Sequence, residues 1–246
     1  MEQIKQHAGT FFIAIAIIIG LWIAGTAYKY KFKSQENISV TGMAEKDFTS
    51  DLIVWSGFFS RSGIDLKAAY AVLKQDEATI KSYLNSKGIP DSSIVFASIT
   101  TNKDYQSQYN ADGVEVGRIF TGYTLMGSVR VESGDIVRVE KLSREITELL
   151  EKGIELNSNA PEYYYTKLNE LKIDLLAQAS ADAKTRAQTI AQNSGGSLGD
   201  LKKANMGVFQ ITGKNANEDF SYGGVFNTSS KDKTASVTLK AEYLAD

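Results

Sequence analysis

From Gln6 to Tyr28 the chain carries 23 residues without a formal charge, and the centre of that stretch, Phe11 to Ala24, is almost wholly apolar. As a helix it reaches about 34 Å, enough for the roughly 30 Å hydrocarbon core of a bilayer. The stretch therefore reads as a transmembrane helix in contact with lipid through residues 6–28. A cleaved signal peptide is the alternative, with Lys5 as its basic start and Gly25, Thr26 and Ala27 offering small residues, although the apolar run is longer than an ordinary signal core. Lys29, Lys31 and Lys33 follow the segment and only Lys5 precedes it, so the positive-inside count taken alone would hold the rest of the chain in the cytoplasm.

The 246 residues include no cysteine, and the single histidine, His7, sits in this first segment. A disulfide framework, a Cys/His zinc site, a cysteine nucleophile and a His-based triad are excluded. Four of the 27 Lys and Arg and one of the 29 Asp and Glu lie in residues 1–33, which leaves the remainder with a net charge of −5. No basic stripe follows Lys33, so nucleic acid is not an expected partner.

Residues 34–246 read as one α+β domain, after residues 1–33 as the anchor or signal with its basic flank. Asn37–Met43 and Asp51–Phe59 carry strand patterning, and Asp65 can cap a helix with Leu66, Ala69, Leu73, Ile80 and Leu84 on one face, ending at Gly88. Ser93–Tyr109 and Arg118–Val131 form a second strand pair around the turn Asn110–Gly113, and Asp135 starts another amphipathic helix that stops at Gly153. After the short strand around Tyr163–Tyr165, the longest helix spans 168–193 with an alanine-rich stripe. Ala204–Thr212 and Thr234–Tyr243 close the domain as strands, and the Asn/Ser/Gly-rich 213–233 between them reads as a mobile loop. The expected architecture is a largely antiparallel sheet with about three amphipathic helices on one face.

Four pieces then carry a family likeness: Ile38-x-Val40-x-Gly42, the helix from Ala179 through Ala183, Arg186 and Ala187 to Ile190 and Ala191, the stop Gly195-Gly196-x-Leu198-Gly199, and the closing strand Ala235–Tyr243. In order and spacing they resemble the SIMPL-domain family of bacterial envelope proteins over roughly residues 37–246. The resemblance implies a periplasmic or membrane-anchored, non-enzymatic α+β domain, with oligomeric assembly and oxidative-stress defence suggested for some members. It implies no catalytic residue and no cofactor, and it favours a single-pass inner-membrane protein with its soluble domain in the periplasm. Ala44 stands where the family's opening motif would have a second glycine, and the 213–233 loop is unusually Asn-rich.

Apparent chemical motifs are weak. Gly207–Lys214 has the wrong spacing for a phosphate loop, and Asn110, Asp112 and Glu115 lack a calcium-loop register. Ser230-x-x-Lys233 falls in a polar loop, not at a helix start, and Asp182 with Arg186 reads as a surface ion pair. Catalytic, cofactor and metal residues are therefore expected to be none. The expected interaction surface, for a homo-oligomer, is Tyr163, Tyr164, Tyr165, Tyr222 and Phe226. Two alternatives stay open: a small-molecule or glycan module with an aromatic pocket near Trp55, Phe58 or Tyr123, and a hydrolase using a carboxylate pair.

Overall fold

The computed structural model describes the backbone of residues 2–33 and 37–245, and side chains for 13–28 and 37–245. Helix α1 spans Glu2–Lys33. Among the described residues no helix is long and apolar enough to cross a membrane; the span expected at 6–28 lies partly outside the described side chains. The strands are β1 (Asn37–Thr49), β2 (Leu52–Gly63), β3 (Ile94–Phe96), β4 (Thr100–Tyr109), β5 (Glu115–Ser133), β6 (Leu156–Ser158), β7 (Glu162–Tyr164), β8 (Leu198–Met206), β9 (Gln210–Gly213), β10 (Val225–Phe226) and β11 (Asp232–Ala245). Helices α2 (Leu66–Ser86), α3 (Ile136–Glu145, continued as a 3-10 turn to Lys152) and α4 (Leu168–Asn193) complete the chain.

The α+β class holds, but the single helix-covered sheet does not. Two sheets form, each with its own core, the first under α4 and the second under α2 and α3. In the first, β11 pairs antiparallel with β1 along its whole length and with β8 and β9 in succession on its other edge, while β10 adds to β9 in parallel. In the second, β2 and β5 form the centre, β3 and β4 share the far edge of β5, and β6 and β7 share the far edge of β2. Period-two alternation tells which side of a strand is buried but not which sheet it joins, so one sheet and two are equally consistent with the pattern. The strand expected over 204–212 is likewise two: β8 and β9 break at Gly207–Phe209, where the edge of β11 passes from one partner to the next.

The first core is built for close approach. Val40, Gly42 and Ala44 of β1 face Ala179, Ala183 and Ala187 of α4, all three fully buried. A methyl group added at Gly42 would stand 2.2 Å from the Ala179 carbonyl oxygen, so the helix backbone rests directly on the strand backbone. Polar groups fix the same contact from outside: Lys46 bonds Asp174 at 2.8 Å, and Asp182 accepts the Met43 N–H at 2.9 Å and pairs with Arg186 at 2.8 Å. That Met43 N–H, followed by Arg186, holds the Asp182 carboxyl below its usual range.

The second core is filled by large side chains. Ile53, Trp55, Leu73, Ile80, Leu84, Val129 and Leu142 are sealed between β2, β5, α2 and α3. Asp65 and Asp135 cap α2 and α3 through the N–H groups of Ala68 and Arg138, as their positions before the apolar runs require. Buried Asp76 on α2 takes a two-point bond from Arg61 of β2 at 2.5 and 3.0 Å, and the same guanidinium donates to the Gly153 carbonyl at 2.7 Å. One residue thus ties β2, α2 and the turn after α3 together.

Candidate functional site

The three consecutive tyrosines separate. Tyr163 turns into the second core and donates its hydroxyl to Glu140 at 3.0 Å, whereas Tyr165 turns to the first and packs at a tilt against Phe48 with ring centroids 4.9 Å apart. Tyr164, half-buried like the other two, packs in neither core and meets Phe226 at 6.5 Å. Tyr222, 93% exposed, packs edge-on against Phe220. The structure therefore brings Tyr164 and Phe226 together and leaves Tyr222 beside Phe220, with Tyr163 and Tyr165 spent on packing.

These residues frame the seam between the two sheets. The chain crosses from β1 to β2 at Ser50 and Asp51, whose N–H groups donate to the carbonyls of Lys231 and Tyr164, and Tyr163 N–H donates to Thr228 across the same seam. The Asp51 carboxylate accepts from both the backbone and the hydroxyl of Thr166 at 2.7 Å. At the centre lies Lys233, only 1% exposed. Its ammonium donates to the carbonyls of Tyr163 and Asn227 and sits 5.8 Å from the Phe226 ring. Burial pushes its pKa below the ordinary lysine value, with Glu218 opposing that shift.

The polar-loop reading of Ser230–Lys233 is thus corrected for Lys233, which is a buried staple between sheets. Its signal was in the sequence: Lys233 is in step with Ala235, Val237, Leu239, Ala241 and Tyr243, the inward residues of β11. The staple also anchors much of 213–233. Asn227 receives the Ser230 N–H at 2.8 Å and bonds Glu218, while Gln210 donates to the Ser221 carbonyl at 2.9 Å. Beside it a groove of about 450 Å³ runs between Phe209, Val225 and Phe226, with the Lys172 ammonium 5.5 Å above the Phe209 ring.

A second surface had no signal beyond its turn. The β4–β5 hairpin continues past the core as a two-stranded arm in which no residue from Tyr105 to Thr121 is buried. The turn is set as its sequence demands: Asn110 Oδ1 accepts the N–H groups of Asp112 and Val114, and Gly113 takes a φ of 78°. Tyr105 opposes Phe120 on one face at 5.8 Å, Phe120 meets Tyr123 at 5.0 Å, and Ile119, next along the strand, points to the other face. Tyr109, Val114 and Val116 are exposed as well, so apolar side chains reach both faces of the arm, set among the polar Gln106, Ser107, Gln108, Glu115 and Arg118. Where the arm leaves the sheet, a register shift falls opposite Gly122, whose φ of 150° and close approach to the Gly63 carbonyl favour glycine.

Chemically reactive arrangements are sparse. Trp55 is sealed in the core and donates to Ser158 at 2.8 Å, so no aromatic pocket opens on it. Glu145 and Glu148 converge on Lys87 at 3.0 and 2.8 Å, and the Lys87 ammonium holds Glu148 below the usual carboxylate range, opposite to what a general acid requires. Among the described residues there is no group of three or more side chains suited to holding a metal ion.

Residues 38–243 match the family model SIMPL, described as a protein of unknown function (DUF541). The match covers most of the chain, both sheets and all three helices after α1, and the chain belongs to that family. No curated protein matches it.

Proposed function

We propose that this is a non-enzymatic, membrane-anchored envelope protein that acts by self-assembly, with a role in envelope or oxidative-stress defence as its family likeness suggests. The observation that carries the assembly reading is the β4–β5 arm. A two-stranded ribbon has no stability of its own in water when both faces are solvated, and an exposed apolar surface of this extent marks an interaction site on a soluble domain. Tyr105, Ile119 and Phe120 keep 40–53% of their surface in water, and burying that part against a second copy would stabilise the complex by about 1 kcal/mol for each side chain. The Tyr164–Phe226 pair and Tyr222 are secondary contacts in the same reading.

Anchoring is supported by α1, whose described part is apolar on every side and exposed throughout, with Trp22 at 71%. A helix of that kind requires an apolar surrounding. The soluble domain then faces the periplasm. Cysteine cross-linking of the arm in the full chain, with Cys introduced at Ile119, tests assembly: covalent dimers are expected in membranes, and their absence contradicts the proposal. A reporter joined after Asp246 that is active only in the cytoplasm contradicts the orientation. The 450 Å³ groove beside Lys172 supports a second reading, a module for a small anionic ligand.

A further inference from the structure

We propose that the open edge of β1 and the flank of α4 form a binding site for the carboxyl-terminal residues of an extended peptide. The site is separate from the arm and does not depend on it. Among the described residues β1 pairs with β11 alone, and no described strand lies on its other edge. The direction of that edge is fixed by one bond: Met43 N–H donates to Asp182 on α4, away from β11. Because main-chain groups alternate along a strand, the N–H and C=O of Ser39 and Thr41 face the same open side as Met43, while Val40 and Gly42 are turned toward β11. Unpaired edge groups of this kind are completed by an added strand.

A groove of about 480 Å³ runs beside this edge, lined by Ser39, Val40, Thr41, Thr185, Arg186 and Ile190, with Thr189 between the last two. Helix α4 runs antiparallel to β1, with Asp174 at Lys46 and Asp182 at Met43, so Arg186 and Ile190 fall beside Thr41 and Ser39. Ile190 is 46% exposed and offers an apolar wall. Asp182 occupies the next outward N–H at Met43, so an added strand cannot continue past Thr41 and must end there. Arg186 stands at that end. Its Nε is held by Asp182 at 2.8 Å, which orients the guanidinium and leaves its terminal nitrogens to a second acceptor. Edge donors and acceptors, a stop, an apolar wall and a cation at the stop together fit a strand-forming peptide with apolar side chains and a free terminal carboxylate, bound parallel to β1.

The test uses the full chain in detergent micelles and a fluorescein-labelled pentapeptide, Thr-Val-Thr-Val-Ile, with either a free carboxylate or a terminal amide, read by fluorescence polarisation. Saturable binding of the acid form is expected, weaker by about tenfold or more for the amide, since a charge-assisted bond to arginine is lost. Arg186→Gln should reduce the acid form to the affinity of the amide. Thr41→Pro removes one outward N–H and blocks strand addition while sparing the bonds to β11, as edge proline does, and should abolish binding with the circular dichroism spectrum unchanged. Should Thr41→Pro not fold, Arg186→Gln and the amide still decide. No binding up to about 1 mM, equal binding of acid and amide, or a Thr41→Pro variant that folds and binds normally overturns the proposal. So does a dimer that Thr41→Pro dissolves, because a second copy would then occupy the edge.

Discussion

The two halves of the domain solve the same packing problem with opposite materials. Under α4 the contact is made by Gly42 and a line of alanines, so helix and strand backbones touch; under α2 and α3 it is made by Trp55, Leu73, Ile80 and Leu142. Small residues give a contact that tolerates no added atom, whereas large ones give a contact that tolerates no deletion. The difference extends to the outer faces. The close-packed half leaves an open strand edge beside its helix, and the half with the bulky core sends out the arm.

That contrast can be broken from either side. Trp55→Ala should cost about 3–5 kcal/mol, because a deletion in a large-residue core leaves both a cavity and lost burial; chemical denaturation measures it, and a loss below 1 kcal/mol would show that the second core can collapse around the gap. Breaking the Arg61–Asp76 bond by Arg61→Ala should cost about 3 kcal/mol, since it strands a buried carboxylate. Gly42→Val should cost about 1–3 kcal/mol or more by overpacking, while the same exchange at half-buried Gly117, where an added Cβ meets only the Gln108 side chain at 3.6 Å, should be nearly silent. The reverse experiment, Ala183→Gly, should be milder, at about 1 kcal/mol, through helix propensity.

The seam between the halves has a pH signature. The folded-state pKa of Lys233 is lowered, so between that value and the ordinary lysine range the unfolded chain binds more protons and stability rises with pH. Lys233→Met should flatten that rise in a series of thermal melts across neutral to alkaline pH; an unchanged slope would show that Lys233 does not carry it. The smallest effect lies on the rim of the close-packed half. Asp174 and Asp182 are held below their usual range, Asp174 first by Lys46 and Asp182 first by the Met43 N–H, so their contribution is intact above the ordinary carboxylate range and lost as pH falls below it. An Asp174→Asn, Asp182→Asn double variant should lose part of the wild type's sensitivity to acid.

Local structure was largely legible. Asp65 and Asp135 marked helix starts, Gly153 a stop at φ 74°, and the alanine periodicity set α4 over 168–193. What was not legible was partnership. The alternation of Val237, Leu239 and Ala241 says that they are buried but not that β8 and β9 divide one edge of β11 between them. Tyr163, Tyr164 and Tyr165 read as one cluster, yet strand alternation across a seam sends the outer two to different cores. Lys233 was hidden by residue type: a lysine at an inward position breaks the expectation that charge marks the surface. The arm was hidden by the opposite fault, since Tyr105, Ile119 and Phe120 look like core residues until the sheet is seen to end before them.

The central claim, that the arm joins copies of the chain, is tested most directly by light scattering of the full chain in detergent, with the detergent mass subtracted, for wild type and an Ile119→Asp, Phe120→Asp variant over a concentration series. The account predicts a whole-number multiple of the chain mass for the wild type and a single chain for the variant, with equal thermal stability of the domain. A wild type that stays a single chain at every concentration, or a variant that assembles as the wild type does, would contradict it.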